Sequence, residues 1–421
     1  MRILIKQAIV VSAPSSLNGQ IKDIFILDGL ITSIADNITE KADHLIQADG
    51  LHVSIGWIDS FAHFCDPGFE YRETLETGAR AAAAGGFTDV MLMPNTNPVV
   101  HAKSQVEYIV QRPSPTGVRV HPIGAVTKNA EGKELAEMYD MANSGAVAFS
   151  DGLNAIQDGG LLLKALQYVK TINATIIQIP DDKSIGSSGL MNEGIISTRL
   201  GLPGKPAMTE ELMVARDIKL TRYADSKLHF TGVSSAKSLE YIKRAKEAGL
   251  KISCSVTPYH LFFCDEDLQQ YDTNLKVNPP LRTQQDRELL VKGLLDGTID
   301  FIDSHHVPQN YDSKVCEFEY AKNGMIGLES LFGVIWSMVN GEWSIDQLVE
   351  KLTTFPRELF GLEVPEIKEG VTATLTLFDP AAEYIFDEKD IRSKSKNSAF
   401  VGKRLKGKVI GIINGDKIYL N

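Results

Sequence analysis

A (β/α)8 barrel of the α/β class, carrying a small β-sandwich domain built from both chain ends, is predicted by three observations. Strand-like and helical segments alternate through residues 54–365. Residues 1–53 and 366–421 read instead as short strands separated by turns. At 421 residues with 43% hydrophobic content, the chain can bury the core of one large domain and one small one.

The elements follow in chain order. Near the N-terminus, Ile3-Leu4-Ile5, Ile24-Phe25-Ile26 and Ile31-Thr32-Ser33-Ile34 are apolar strand runs, and Asp28-Gly29 is a turn signal. Further on, the helical segments Thr74 to Ala84 and Ser238 to Ala248 alternate with the strand runs Asp89 to Met93 and Lys251 to Val256. The C-terminal segment returns to strands at Ala373 to Phe378 and Lys408 to Ile413, with Asn414-Gly415 as a hairpin-turn signal. In a barrel of this type the functional residues sit at the C-terminal strand ends.

Composition narrows the function classes. The formal net charge of -11 argues against a nucleic-acid footprint and against docking to anionic lipid. No apolar run approaches the span of a bilayer, and Met1 to Lys6 lacks the organisation of a signal peptide, so a cytoplasmic location is expected. Cys65, Cys254, Cys264 and Cys316 are scattered without metal-ligand spacing, as suits reduced thiols.

The segment Gly56-Trp57-Ile58-Asp59-Ser60-Phe61-Ala62-His63-Phe64 carries the most chemical information. A barrel strand ending in His-x-His presents two imidazoles from alternate residues on one side, which together grip a divalent metal. Phe61 stands at the first of those positions and offers no lone pair, so only His63 remains. Downstream lie Pro94-Asn95-Thr96-Asn97-Pro98, Met191-Asn192-Glu193-Gly194, Leu200-Gly201-Leu202-Pro203-Gly204, Val233-Ser234-Ser235-Ala236, Asn278-Pro279-Pro280-Leu281-Arg282 and Ser395-Lys396-Asn397-Ser398. In this order and over nearly the whole chain, they resemble the long bacterial dihydroorotases of the amidohydrolase superfamily, a metal-dependent branch of the barrel fold.

The resemblance implies a metal that ionises water and polarises the cyclic amide of dihydroorotate, with an aspartate at the last strand shuttling the proton. Against the family pattern, Asp151 in Phe149-Ser150-Asp151-Gly152 keeps one fourth-strand carboxylate and loses its neighbour. Ile179 and Gly232 stand where metal-binding histidines are expected, and His305 stands at the proton-transferring aspartate. Cys65 replaces the arginine that pairs with the substrate carboxylate. Asn95 and Asn278 match substrate-contacting asparagines, but neutral amides do not replace the lost charge, so the pocket is expected to be apolar and poorly suited to an anion.

Each surviving polar residue also has a plainer role open to it. His63 can hydrogen-bond a loop carbonyl, Asp151 can cap a helix, and Asn95 and Asn278 can brace loops. His305 and His306 are adjacent, so on a regular strand only one enters the pocket, and His260 is expected to serve packing or hydrogen bonding. The expectation is a catalytically silent dihydroorotase homologue with no bound cofactor, holding a partner such as aspartate carbamoyltransferase in assembly, and itself a homodimer. The competing reading is an active dihydroorotase or other cyclic amidohydrolase, with zinc on a rebuilt site of His63, Asp151 and His305.

Overall fold

The computed structural model describes every residue except Pro14. Eight parallel strands form the barrel: β1 (Trp57–Ala62), β2 (Phe87–Leu92), β3 (Arg119–Gly124), β4 (Ala148–Phe149), β5 (Thr175–Gln178), β6 (Lys227–Phe230), β7 (Ile252–Val256) and β8 (Phe301–Ile302). Each strand pairs with the next in sequence. Closure comes just past the strand ends, where Ala62 bridges His306 and the His63 N–H donates to the His306 carbonyl at 2.8 Å. The barrel is therefore sealed by two of the histidines singled out in the sequence.

The helices start where their caps dictate. Thr74 accepts from the Thr77 N–H and opens the helix Leu75–Ala84, whose alanines pack against the strands. The helix anticipated from Ser238 begins two residues earlier, as Ala236–Glu247, because the Ser235 hydroxyl accepts from the Lys237 and Ser238 amides. Among the described residues no helix is long and apolar enough to cross a membrane.

The chain-end strands join one mixed eight-stranded sheet. His52–Ile55 runs parallel to Arg2–Val11 and antiparallel to Thr374–Ile385, so this strand joins the two termini just before the chain enters β1. Asp28 and Gly29, both with positive φ, make the two-residue turn between Leu27 and Leu30. At the other end Asn414 pairs with Lys417, so the turn is Gly415-Asp416, one residue later than the Asn-Gly signal. The Asn414 side chain is held elsewhere: it donates to the Gly117 carbonyl and accepts from Thr374.

The barrel axis is filled by Ile58, Phe61, Met91, Met93, Ile123, Ile177, Ile179 and Phe301, a packed interior and not a pore. Outside the barrel, Trp57 packs at a tilt against Phe332 and Phe378, with ring centroids 4.8 and 5.4 Å apart, joining the barrel to the chain-end sheet.

Candidate functional site

The C-terminal strand ends bring the expected site residues to one mouth, and each arrives with partners. His63 lies one residue beyond β1 and is 2% exposed. Its Nδ1 accepts from the Cys65 N–H at 2.8 Å, so the proton sits on Nε2, which donates to the Asn95 carbonyl at 2.9 Å. Burial lowers its pKa to about 4, which keeps the ring neutral. Cys65 is fully buried, and burial pushes its thiol up to about 12, so the position offers a substrate anion no charge.

Asp151 does not cap a helix. It follows β4 and clasps the loop after β3, with Oδ1 accepting from the Thr127 N–H at 2.9 Å and Oδ2 from the Thr127 hydroxyl at 2.5 Å. Burial raises its pKa to about 6. At the lost neighbouring carboxylate, Gly152 has φ +62, and a Cβ there would lie 1.7 Å from Asn95 Oδ1. Asn95 fills that space, donating to the Asp151 carbonyl at 3.0 Å and accepting from the Leu153 N–H at 2.9 Å. It braces a loop, as its plainer reading has it.

His305 departs from strand geometry with φ +42. Its ring lies over Gly232, where a Cβ would be 2.6 Å from His305 Cε1, and packs against Phe61 with ring centroids 4.9 Å apart. Ile179 lies 1% exposed in the same apolar interior as Phe61. The Thr231 hydroxyl donates to Asp303 at 2.9 Å, so His305 Nε2–H donates to Thr231 at 2.6 Å. Burial lowers the His305 pKa to about 3.

Asp303 collects hydroxyl donors from Ser60, Thr231 and Ser255 on Oδ2, while Oδ1 has no partner. Burial, reinforced by Asp59, raises its pKa to about 7. A carboxyl raised in the folded chain stabilises most below its unfolded pKa of about 4, and that contribution is lost as pH rises through about 7. Thermal melts of wild type and Asp303→Asn should therefore diverge with pH. Wild type loses on the order of 4 kcal/mol relative to the variant between about pH 4 and about 7, with a constant difference above.

The adjacent histidine points elsewhere. His306 Nδ1 accepts from the Gly327 N–H at 3.3 Å, and Nε2 faces buried Glu73 at 3.5 Å. Glu73 also accepts from Thr77 and Ser393, and its pKa is lowered by the His306, Ser393 and Thr77 contacts despite burial. His260 spans Thr257 and the Pro279 carbonyl at 2.9 and 3.0 Å, the hydrogen-bonding role expected of it.

The expectation of an apolar pocket needs correction. Lys205 Nζ enters the mouth beside Asn278, 2.9 Å from its Oδ1 and 2.6 Å from Asp181 Oδ2. Sequence reasoning passed over Lys205, and no spacing signal links it to partners 24 and 73 residues away. Nearby, the buried Arg282 guanidinium donates to Ser234, Asn192 and the Lys205 carbonyl at 3.1, 3.1 and 3.0 Å. Asn397 Nδ2 donates to the Val307 and Gly324 carbonyls at 3.2 and 3.1 Å. The motifs that carried the resemblance thus converge around the mouth as bracing.

Zinc needs several free lone pairs converging on one point. Both His63 nitrogens, both Asp151 oxygens and His305 Nε2 are engaged by protein partners. Among the described residues no group of three or more His, Cys, Asp or Glu side chains is arranged to hold a metal ion. The donors as placed do not fit the metal that the resemblance implies.

Known proteins agree on the fold and the lineage. Residues 51–238 match the family model described as Dihydro-orotase-like. The dihydroorotase of Acetivibrio thermocellus is 40% identical over 99% of this chain and 98% of its own, and that of Pelotomaculum thermopropionicum is 40% identical over 100% and 99%. Among solved structures, the L-hydantoinase (dihydropyrimidinase) of Arthrobacter aurescens superposes with a TM-score of 0.86 at 22% identity, over 100% of this chain and 96% of its own. That likeness extends the barrel and the chain-end sheet to a wider group of folds. With 40% identity over the full length of these dihydroorotases, the chain belongs to the dihydroorotase family.

Proposed function

We propose that this chain is a catalytically silent dihydroorotase homologue that serves pyrimidine biosynthesis as a structural partner, without a bound metal. The observation that carries the reading is that among the described residues no three His, Cys, Asp or Glu side chains are arranged to hold a metal ion, while both His63 nitrogens, both Asp151 oxygens and His305 Nε2 are held by protein partners. Four further losses act in the same direction. Phe61 and Ile179 are packed apolar residues, Cys65 is a buried neutral thiol, and a hydrogen-bonded neutral imidazole replaces the proton-shuttling carboxylate.

The relatives bear the name of the enzyme, and the departure from that name rests on these side chains. By resemblance to silent family members, the partner is aspartate carbamoyltransferase, and the chain itself is a homodimer in the cytoplasm. Co-purification of that enzyme with tagged chain from the source cells supports the partnership, and its repeated absence removes it.

The first measurement is hydrolysis of dihydroorotate by purified protein at high concentration, with and without zinc, beside an intact dihydroorotase. The expected result is no zinc-dependent turnover from a folded preparation. Turnover abolished by His63→Ala or His305→Ala would establish the competing reading, an active cyclic amidohydrolase on a rebuilt site.

A further inference from the structure

A cavity of about 250 Å³ opens beside the filled barrel axis, lined by Asp181, Asp182, Lys183, Lys205, Asn278 and Asn323 among others. It is smaller than the roughly 300–1,000 Å³ typical of sites for drug-sized ligands, so its occupant is small. Two carboxylates and two ammonium groups line it. A bare anion or a bare cation would meet as much repulsion as attraction, whereas a ligand carrying both charges meets its complement twice.

The polar atoms give this balance a direction. Lys205 Nζ holds Asp181 Oδ2 at 2.6 Å and Asn278 Oδ1 at 2.9 Å, which leaves the Asn278 amide N–H₂ only a long contact of 3.5 Å to the same carboxylate. Asp181 Oδ1 is buried without a hydrogen-bond partner, although Asp181 and Lys205 keep 13% and 12% side-chain exposure. An orphaned carboxylate oxygen costs stability that an incoming N–H donor restores. Lys183 and Asp182 stand at the rim, where Lys183 Nζ is held by Asn154 at 3.0 Å and Asp182 by the Ser184 amide at 2.9 Å.

We propose that this pocket binds a small zwitterion of the α-amino-acid class. Its carboxylate docks on Lys205 Nζ and the Asn278 amide nitrogen, and its ammonium group turns Asp181 Oδ1 toward the cavity and satisfies it. The proposal rests on the non-catalytic reading of the mouth in one respect: a ligand held here is bound and released unchanged.

Isothermal titration of the full-length protein with glycine and L-alanine, compared with acetate and methylammonium, tests it. Expected is saturable binding of both zwitterions, at least about tenfold tighter than either singly charged probe, because each probe satisfies only half of the site. Lys205→Met and Asn278→Ala should each weaken glycine binding about tenfold, while Lys133→Ala, on the exposed surface, leaves it unchanged. Circular dichroism reports folding, and if Lys205→Met does not fold, Asn278→Ala decides. No saturable binding by wild type, equal binding of acetate or methylammonium, or glycine binding untouched by a folded variant would each overturn the proposal. Glycine binding accompanied by dihydroorotate turnover removes the non-catalytic reading and leaves the pocket standing, whereas absence of both removes the pocket alone.

Discussion

Gly232→His, the single change that returns an imidazole to the sixth strand end, is expected to destabilise the protein by about 3 kcal/mol and to create no zinc site. Two costs add. At φ +68 a branched or bulky side chain is strained, and the new Cβ would sit 2.6 Å from the His305 ring. That ring cannot retreat freely, because Phe61 packs against it and Thr231 holds its Nε2. Chemical denaturation of wild type, Gly232→His, His305→Ala and the double variant separates the terms. In the His305→Ala background the same substitution should cost only about 1–2 kcal/mol, the backbone share alone. Equal costs in both backgrounds would show that the glycine and the imidazole are not coupled. With such coupling, reverting one ligand is not expected to recover a metal centre.

Asp89→Ala is expected to cost about 3–5 kcal/mol, since it strands buried positive charge. Asp89, 2% exposed on β2, accepts from Arg357 at 2.7 Å, Arg119 at 2.8 Å and His121 at 2.8 Å. Arg357 lies in the helix Thr354–Phe360 and is only 1% exposed, so water cannot take over the lost partner. Despite burial, His121 and the two guanidinium groups hold the Asp89 carboxyl well below its usual range. A depressed carboxyl stabilises fully above its unfolded pKa of about 4, and loses that effect only as pH falls through the folded value. The melting difference between wild type and Asp89→Ala should thus be constant from about pH 5 to about pH 8 and shrink only in strong acid. A difference that changed across neutral pH would contradict this assignment. The opposite sign expected for Asp303→Asn makes the two variants mutual controls.

Much of the architecture was legible in the chain. The apolar runs at Ile3 to Ile5 and Ile24 to Ile26 became paired strands, and Asp28-Gly29 became the turn near them, because such patterns act through neighbours in sequence. The positions at which ligands are missing were equally legible, since a phenylalanine or an isoleucine has no lone pair in any fold. Caps were read less well: the helix after β6 starts at Ala236 because Ser235 is free to cap it, a choice made by local backbone geometry.

By itself, then, the sequence determined the barrel, its family and the residue types at the mouth. Only the tertiary structure decided what those residues do: that Asn95 fills the space above Gly152, that His305 lies over Gly232, that Asp151 clasps Thr127 and not a helix end, and that Lys205 makes polar a pocket expected to be apolar. The physical reason is distance along the chain. The Asp151–Thr127, Lys205–Asn278, His305–Thr231 and Arg282–Asn192 contacts join residues 24, 73, 74 and 90 positions apart, and no local periodicity encodes such pairs. Whether a lone pair is free for a metal or already spent on an amide is settled only when barrel closure brings those partners together.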